Sequence, residues 1–410
     1  MMEALGVIVE YNPFHNGHLY HLQQSKNLTN PDVVIAVMSG QFLQRGEPAL
    51  VSKWERTKMA LLNGIDIVVE LPYAFATQKA EVFATGAVSI LSELRVDSFC
   101  FGSEQGNIED FNRTVQLMGE KSDPYHSSVQ KYIKEGNSYP KASSLAFSET
   151  FQNENVIDLT QPNNILGFHY VKAVLELGSP IQPFTIGRTT AGYHDEQLYP
   201  SNIASATAIR KHLFETNREI QHVQDYVPAP TFSVLQQIKS FHRWEDYYSL
   251  LKYKILCSTP EQLRTFYEVE EGIEYRLQEC MKKSKTFQEF MTMLKTKRYT
   301  WTRLQRMCTH ILTNTTKDEM KRVTEKKEYS YVRLLGMSKA GQHYLREIKK
   351  DITIPIISNV ASFSDDGLAL DKKATIAYSI PLSEPERSAF IHKEFSQPPI
   401  RFDEELRKFV

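Results

Sequence analysis

Cysteine is scarce, with Cys100, Cys257, Cys280 and Cys308 the only four in 410 residues. None forms a CxxC pair or stands near a spaced histidine pair, which argues against a zinc module and a disulfide scaffold. Few, scattered thiols fit a reducing compartment. No run approaches the ~18 apolar residues that a membrane span needs. The opening Met1-Met2-Glu3-Ala4-Leu5 carries an acid and no basic segment, unlike a secretory leader. Internal repeats and low-complexity tracts are missing as well. Neither sign of charge is in excess overall, since 48 Lys+Arg face 49 Asp+Glu. These absences predict a soluble cytoplasmic protein, with no membrane partner and no metal site of its own.

The hydrophobic share of 41% and the charged share of 24% are ordinary for a globular chain. At ~150 residues per domain, the length allows two to three domains with a core that needs no staples. The first half alternates apolar runs with helical patterns. Leu5 to Glu10, Val33 to Met38, Ile65 to Glu70, Ser98 to Gly102 and Pro183 to Ile186 lack polar alternation, as do parallel strands covered on both faces. Ala80, Phe83, Ala84, Ala87, Val88 and Leu91 fall on one face of a 3.6-residue period. Strands alternating with helices predict an α/β fold, a doubly wound parallel sheet of Rossmann-like type. Its ligand would lie at the carboxyl ends of the strands. Val227-Pro228-Ala229-Pro230 bars a continuing helix. The expected division is therefore 1–225 and 226–410, the second part mainly helical to about Lys350 and ambiguous beyond it.

Charge is unevenly spread. Met281 to Lys350 holds 18 Lys+Arg against 6 Asp+Glu, so the rest of the chain is acidic. Such a segment resembles an electrostatic footprint for a polyanion. Lys297, Arg298, Arg303 and Arg306 are the candidate phosphate contacts, with Tyr299 and Trp301 placed to stack on unpaired bases. The competing reading is a solvated helical face with Trp301 in the core.

The most informative stretch is Leu5 to Leu19, an apolar strand running through Asn12-Pro13 into His15-x-Gly17-His18 and a helix from about Gly17 to Leu28. A helix N-terminus offers free N–H groups and partial positive charge to a phosphate. His15 and His18, three apart, would share a face of the first turn and donate to phosphate oxygens as charge builds. Gly17, without a Cβ, would let a nucleotide approach the backbone.

This pattern resembles the HxGH nucleotidyltransferase superfamily. A second element of that superfamily is matched by Ile203 to Arg210, where Ser205 suits an N-cap and Arg210 would aim a guanidinium at the leaving phosphates. His15, His18, Ser205 and Arg210 are thus the candidate catalytic residues. The resemblance extends further. Glu10 to His18, Met38 to Gly46, Glu70-Leu71-Pro72, Phe101 to Glu104, Pro162 to Gly167 and Val332 to Gly336 together are similar to the bacterial tRNA(Met) cytidine acetate ligase family.

That resemblance implies activation of acetate by ATP as acetyl-adenylate, then acetylation of N4 of the wobble cytidine in elongator tRNA(Met). ATP would be the co-substrate, with Mg2+ expected to neutralise the leaving pyrophosphate. ATP contacts would map to Val7, Ile8, Val9, Glu10, Tyr11, Asn12, Pro13, Phe14, His15, Asn16, Gly17, His18, Leu19 and Tyr20, and to Gly102, Asn163 and Arg188. The loop from Met38 to Gly46 leaves the second strand at the same sheet edge. Two other readings stay open on residues alone: a small-molecule adenylyltransferase, which leaves the basic half unexplained, and a non-catalytic tRNA-binding protein, which leaves the intact His15, Gly17, His18 and Arg210 unexplained.

Overall fold

Five apolar runs become parallel strands: β1 (Ala4–Val9), β2 (Val33–Ser39), β3 (Ile67–Leu71), β4 (Ser98–Ser103) and β5 (Gln182–Gly187). The computed structural model describes residues 2–137, 139–152, 154–187, 202–216, 219–325 and 329–410. Every residue of β2 and β3 is buried. Helices on both faces leave no wet side, so no alternation is needed. The order is β5-β4-β1-β2-β3, with β1 in register with β2 from Ala4↔Val33 to Val9↔Met38. The chain winds outward from β1 in one direction through β2 and β3, then returns to its other side with β4. The carboxyl ends of β1 and β4 therefore flank the switch point, where doubly wound sheets open a crevice. The helix Ala80–Glu93 seats its buried face, Phe83, Ala84, Ala87, Val88 and Leu91, against the sheet. It packs so closely that a Cβ on Gly6 of β1 would stand 2.8 Å from the Leu91 methyls.

The second half does not stay apart. β6 (Val332–Ser338) runs antiparallel beside β3, pairing Ile67↔Met337 and Val69↔Leu334. β7 (Ile356–Ile357) and β8 (Ile400–Asp403) pair with β6, and β9 (Lys408–Phe409) closes the edge on β8. One sheet thus crosses the expected boundary at residue 225, and a strand lies where a helical region was expected. The remaining segment is helical as predicted, with Trp244–Cys257, Ile273–Lys283, Phe287–Leu294 and Trp301–Leu312 among its helices. Apolar core joins the halves on both faces of the sheet, with Phe42 and Tyr73 packed in one cluster with Leu304, Met307 and Tyr378, and Val68 in another with Leu335 and Ile400.

A buried charge network pins β6 in place. Lys53 Nζ donates to Glu70 at 2.8 and 2.9 Å and to Glu394 at 3.0 Å. Arg333, in β6, lies 3.0 Å from Glu70 and 2.5 Å from Glu394. All four are at most 3% exposed, and such charges are tolerated inside only when paired. Among the described residues no helix is long and apolar enough to cross a membrane.

Candidate nucleotide site

β1 ends at the crevice, and Tyr11 turns the chain there with φ 48°. That left-handed backbone is uncommon outside glycine. Burial holds it, because the Tyr11 ring packs 4.5 Å from Phe14 and meets His18 edge-on at 5.0 Å. The Asn12 side chain accepts from Leu50 N–H at 2.6 Å.

His15 is the N-cap of the helix Asn16–Thr29 and has extended backbone. It therefore stands outside the first turn that the spacing predicted, and it meets His18 differently. Its Nδ1 accepts from Gly17 N–H at 3.0 Å, while His18 Nδ1 accepts from His15 N–H at 3.3 Å. The rings stack at 3.8 Å. A ring nitrogen that accepts carries no proton, so the neutral imidazoles bear theirs on Nε2. The backbone has thereby set both tautomers. Gly17 is required for a reason other than the expected one. A Cβ there would lie 2.8 Å from His15 Cε1 and 3.0 Å from Nδ1, so the space belongs to the capping ring, not to a nucleotide.

Ser205 caps the helix Ala206–Glu215 by accepting from Ala208 N–H at 3.0 Å, as expected. Arg210 on that helix donates to Asn12 O at 2.9 Å and to Glu47 Oε2 at 2.9 Å. The two sequence motifs are thus joined, but the guanidinium faces a carboxylate of the chain itself. Glu10, at the end of β1, accepts from Gln44 N–H at 2.8 Å. Burial pushes its carboxyl above the usual range and Glu47 adds to this, against the Gln44 amide, Arg45 and Arg210.

Arg56 was invisible as a site residue. It is fully buried, and it donates to Glu10 O at 2.8 Å, Ser39 O at 2.9 Å, Val51 O at 3.2 Å and also Gly40 O. One guanidinium so fixes the ends of β1 and β2. Burial lowers its pKa to about 10, which leaves it charged at neutral pH. The loop after β2 is held from its other side by the helical half. Gly46 O accepts from Trp244 Nε1 at 2.9 Å and Thr309 Oγ1 at 2.7 Å, and Arg45 O accepts from Gln305 at 3.0 Å.

These parts surround a cavity of about 300 Å3. Of the residues that the resemblance singled out, Ile8, Val9, Glu10, Tyr11, Asn12, His15, Gly17, His18, Tyr20, Gly102, Asn163, Ser205 and Arg210 line it. Val7, Pro13, Phe14, Asn16 and Leu19 lie off it. Val7 and Phe14 are core, Pro13 is buried, and Leu19 packs on the apolar cluster behind. Asn16 instead ties the helix start to Asn202 O and Asp225 O at 2.7 and 2.8 Å. Arg188 lies outside the described residues. Phe83, Phe101, Leu166 and Tyr170 add an apolar wall that sequence reasoning missed, since each sits in a run that reads as core. Asn163 is oriented by Glu104, which accepts from its amide at 3.2 Å and its side chain at 2.6 Å and caps the helix Pro162–Glu176.

The basic segment is less open than its charge suggests. Arg306 is buried and grips Glu268 at 3.0 and 2.8 Å. Arg303 pairs with Glu270 at 3.2 Å and lies over the Tyr299 ring. Tyr299 is buried, so it is no stacking platform. Lys297 and Arg298 are exposed. Of the four expected phosphate contacts, Arg306 is withdrawn by burial, Arg303 is half-buried and paired, and these two stand open. Among the described residues no three His, Cys, Asp or Glu side chains form a metal cage.

The HIGH Nucleotidyl Transferase family model matches residues 2–391. The tRNA(Met) cytidine acetate ligase of Bacillus subtilis strain 168 is 49% identical over 100% of this chain and 100% of its own. That of Bacillus licheniformis is 51% identical over the same shares. The crystal structure of apo Thermotoga maritima TmcAL matches with a TM-score of 0.90 at 33% identity, covering 98% of this chain and 100% of that one. The same protein bound with alpha-thio ATP gives 0.87 at 32% identity over equal shares.

Proposed function

The chain belongs to the HIGH nucleotidyl transferase family, among the tRNA(Met) cytidine acetate ligases, and from that premise we propose how it works: it activates acetate with ATP as acetyl-adenylate and acetylates N4 of the wobble cytidine of elongator tRNA(Met), releasing pyrophosphate and AMP. The observation that carries this is the stacked pair His15 and His18, with both Nδ1 atoms held by backbone and both rings lining one cavity with Ser205 and Arg210.

In the first step an acetate oxygen attacks the α-phosphorus and the bond to the β-phosphate breaks. Charge gathers on the phosphates. The Nε2–H groups of His15 and His18 and the N-terminus of Ala206–Glu215 are fixed before it arrives, so their dipoles need no reorganisation. Arg210 exchanges Glu47 for phosphate, a planar fork moving between two anions that it fits equally. Mg2+ arriving with ATP would be held mainly by phosphate oxygens, since the described residues offer no cage. In the second step the cytidine amine attacks the mixed anhydride. The anticodon loop is single-stranded, so its base can splay into the cavity. In this reading residues 1–225 carry the adenylation and 226–410 the tRNA, in the cytoplasm.

The test is transfer of labelled acetate, with ATP and Mg2+, to transcribed elongator tRNA(Met) and to a variant lacking the wobble cytidine. Label confined to the first supports the reading. No label on any RNA overturns it in favour of a small-molecule adenylyltransferase. Replacing Lys297 and Arg298 by alanine should weaken tRNA binding and reduce its salt slope by about 2, near one for each phosphate contact. Acetate-dependent pyrophosphate release should persist in that variant. Gly17→Ala should behave oppositely. It displaces the His15 ring, and a shift of ~1 Å costs ~10²-fold in rate, so pyrophosphate release falls while tRNA binding holds.

A further inference from the structure

We propose that Glu10 is the general base of the acetyl-transfer step, an inference that rests on the ligase reading above. When N4 of cytidine attacks, the N4–C bond forms at the acetyl carbonyl. The carbonyl carbon–oxygen bond to AMP breaks, its electron pair leaves on the phosphate, and one N4 proton must go to a base. Few groups lining the cavity can take it. His15 and His18 have committed Nδ1 to backbone N–H groups and carry their protons on Nε2. Glu47 pairs with Arg210 until phosphate arrives, and its side chain is one-third exposed, whereas Glu10 stays anchored at the end of β1. Burial raises the Tyr11 hydroxyl far above neutrality.

Glu10 has the geometry for the task. Its Oε1 accepts from Gln44 N–H, and its main-chain carbonyl is held by Arg56. Both ends of the residue are thus fixed. Among the described residues nothing donates to Oε2, and the side chain lines the cavity beside the histidines. The charged groups around it are Glu47 and Arg45 on the loop after β2, Arg210 on Ala206–Glu215, Arg56 on Lys53–Leu62, and the imidazoles at the start of Asn16–Thr29. Burial and Glu47 outweigh the opposing groups and raise its affinity for a proton. A base tuned toward the working pH is the more effective one.

Glu10→Gln separates this role from a structural one. The amide oxygen still accepts from Gln44 N–H and the volume is kept, but the proton acceptor is gone. Two rates are read: acetate-dependent exchange of pyrophosphate into ATP, and single-turnover transfer from preformed acetyl-adenylate to elongator tRNA(Met). The expected result is a transfer rate lowered by ~10²-fold or more, the range of a positioned base, with exchange lowered far less. The wild-type transfer rate should also rise with pH as the carboxyl ionises, and the variant should lose that rise. Transfer at the wild-type rate overturns the proposal, and so does an equal fall in both rates, which marks a binding or structural role. Wild-type enzyme that exchanges pyrophosphate but labels no tRNA removes the ligase reading itself.

Discussion

His15→Asn is expected to lower acetate-dependent pyrophosphate release by ~10²- to 10³-fold, the effect of deleting one preorganised donor, with little change in thermal stability. The contrast comes from the two jobs of this side chain. Its Nδ1 caps Gly17 N–H, and in the proposed mechanism its Nε2–H donates to the phosphate. Asparagine is among the best N-caps, so its side-chain oxygen can keep the first job. It has no group at the position of Nε2, so it cannot do the second. His15→Ala loses both and should add about 1 kcal/mol of destabilisation to the same loss of rate. His18→Ala frees the His15 amide and should fall in the same range of rate. Thermal melts beside a coupled pyrophosphate assay read both quantities. If His15→Asn turned over at the wild-type rate, the histidine pair would not be the phosphate-binding element.

Arg56→Met should have the largest effect on stability. The guanidinium satisfies four carbonyls from β1, β2 and the loops that follow them, and it is fully buried. Methionine fills the volume but leaves those oxygens without donors, and each buried acceptor left unsatisfied costs ~1–3 kcal/mol. With ~2.1 cal/mol/K of unfolding entropy per residue, ~4 kcal/mol corresponds to a fall in melting midpoint of roughly 5 °C. Arg56→Lys should lie between the two, because one ammonium cannot reach carbonyls spread over two strand ends. Activity should fall in both variants, since Glu10, whose carbonyl Arg56 holds, lines the cavity. A methionine variant with an unchanged melt would show that water replaces the donors.

The contrast between what could and could not be read in advance has a physical cause. β1 to β4 were legible because burial leaves unbroken apolar runs, and β5 was legible as an apolar run although it is only half-buried at the sheet edge. Their bounds fall within two residues of the predicted ones. That His15, His18, Ser205 and Arg210 would come to one crevice was legible from their two local motifs, although the turn geometry of His15 was not. β6 was not, because Arg333 interrupts its apolar run, and the partners that permit this burial, Glu70 and Glu394, lie far away in sequence. Arg306 misled in the same way. Counting charges places an arginine in solvent, whereas Glu268 draws this one inside. The reason for Gly17 was hidden too, because it depends on the rotamer of His15 and not on any ligand.

The antiparallel pairing of β3 with β6 has a consequence for how the chain is made. Residues leave the ribosome from the N-terminus at ~5–20 per second, so β3 waits on the order of tens of seconds for its neighbour. Through that interval its outer edge is an open template for another strand. Lys53 and Glu70 meanwhile await Glu394, which follows them far along the chain. A fragment ending at residue 225 would keep both defects permanently, with a bare apolar edge and an incomplete buried ion network. If the first half carries the adenylation, as proposed, that chemistry is therefore not portable without the second.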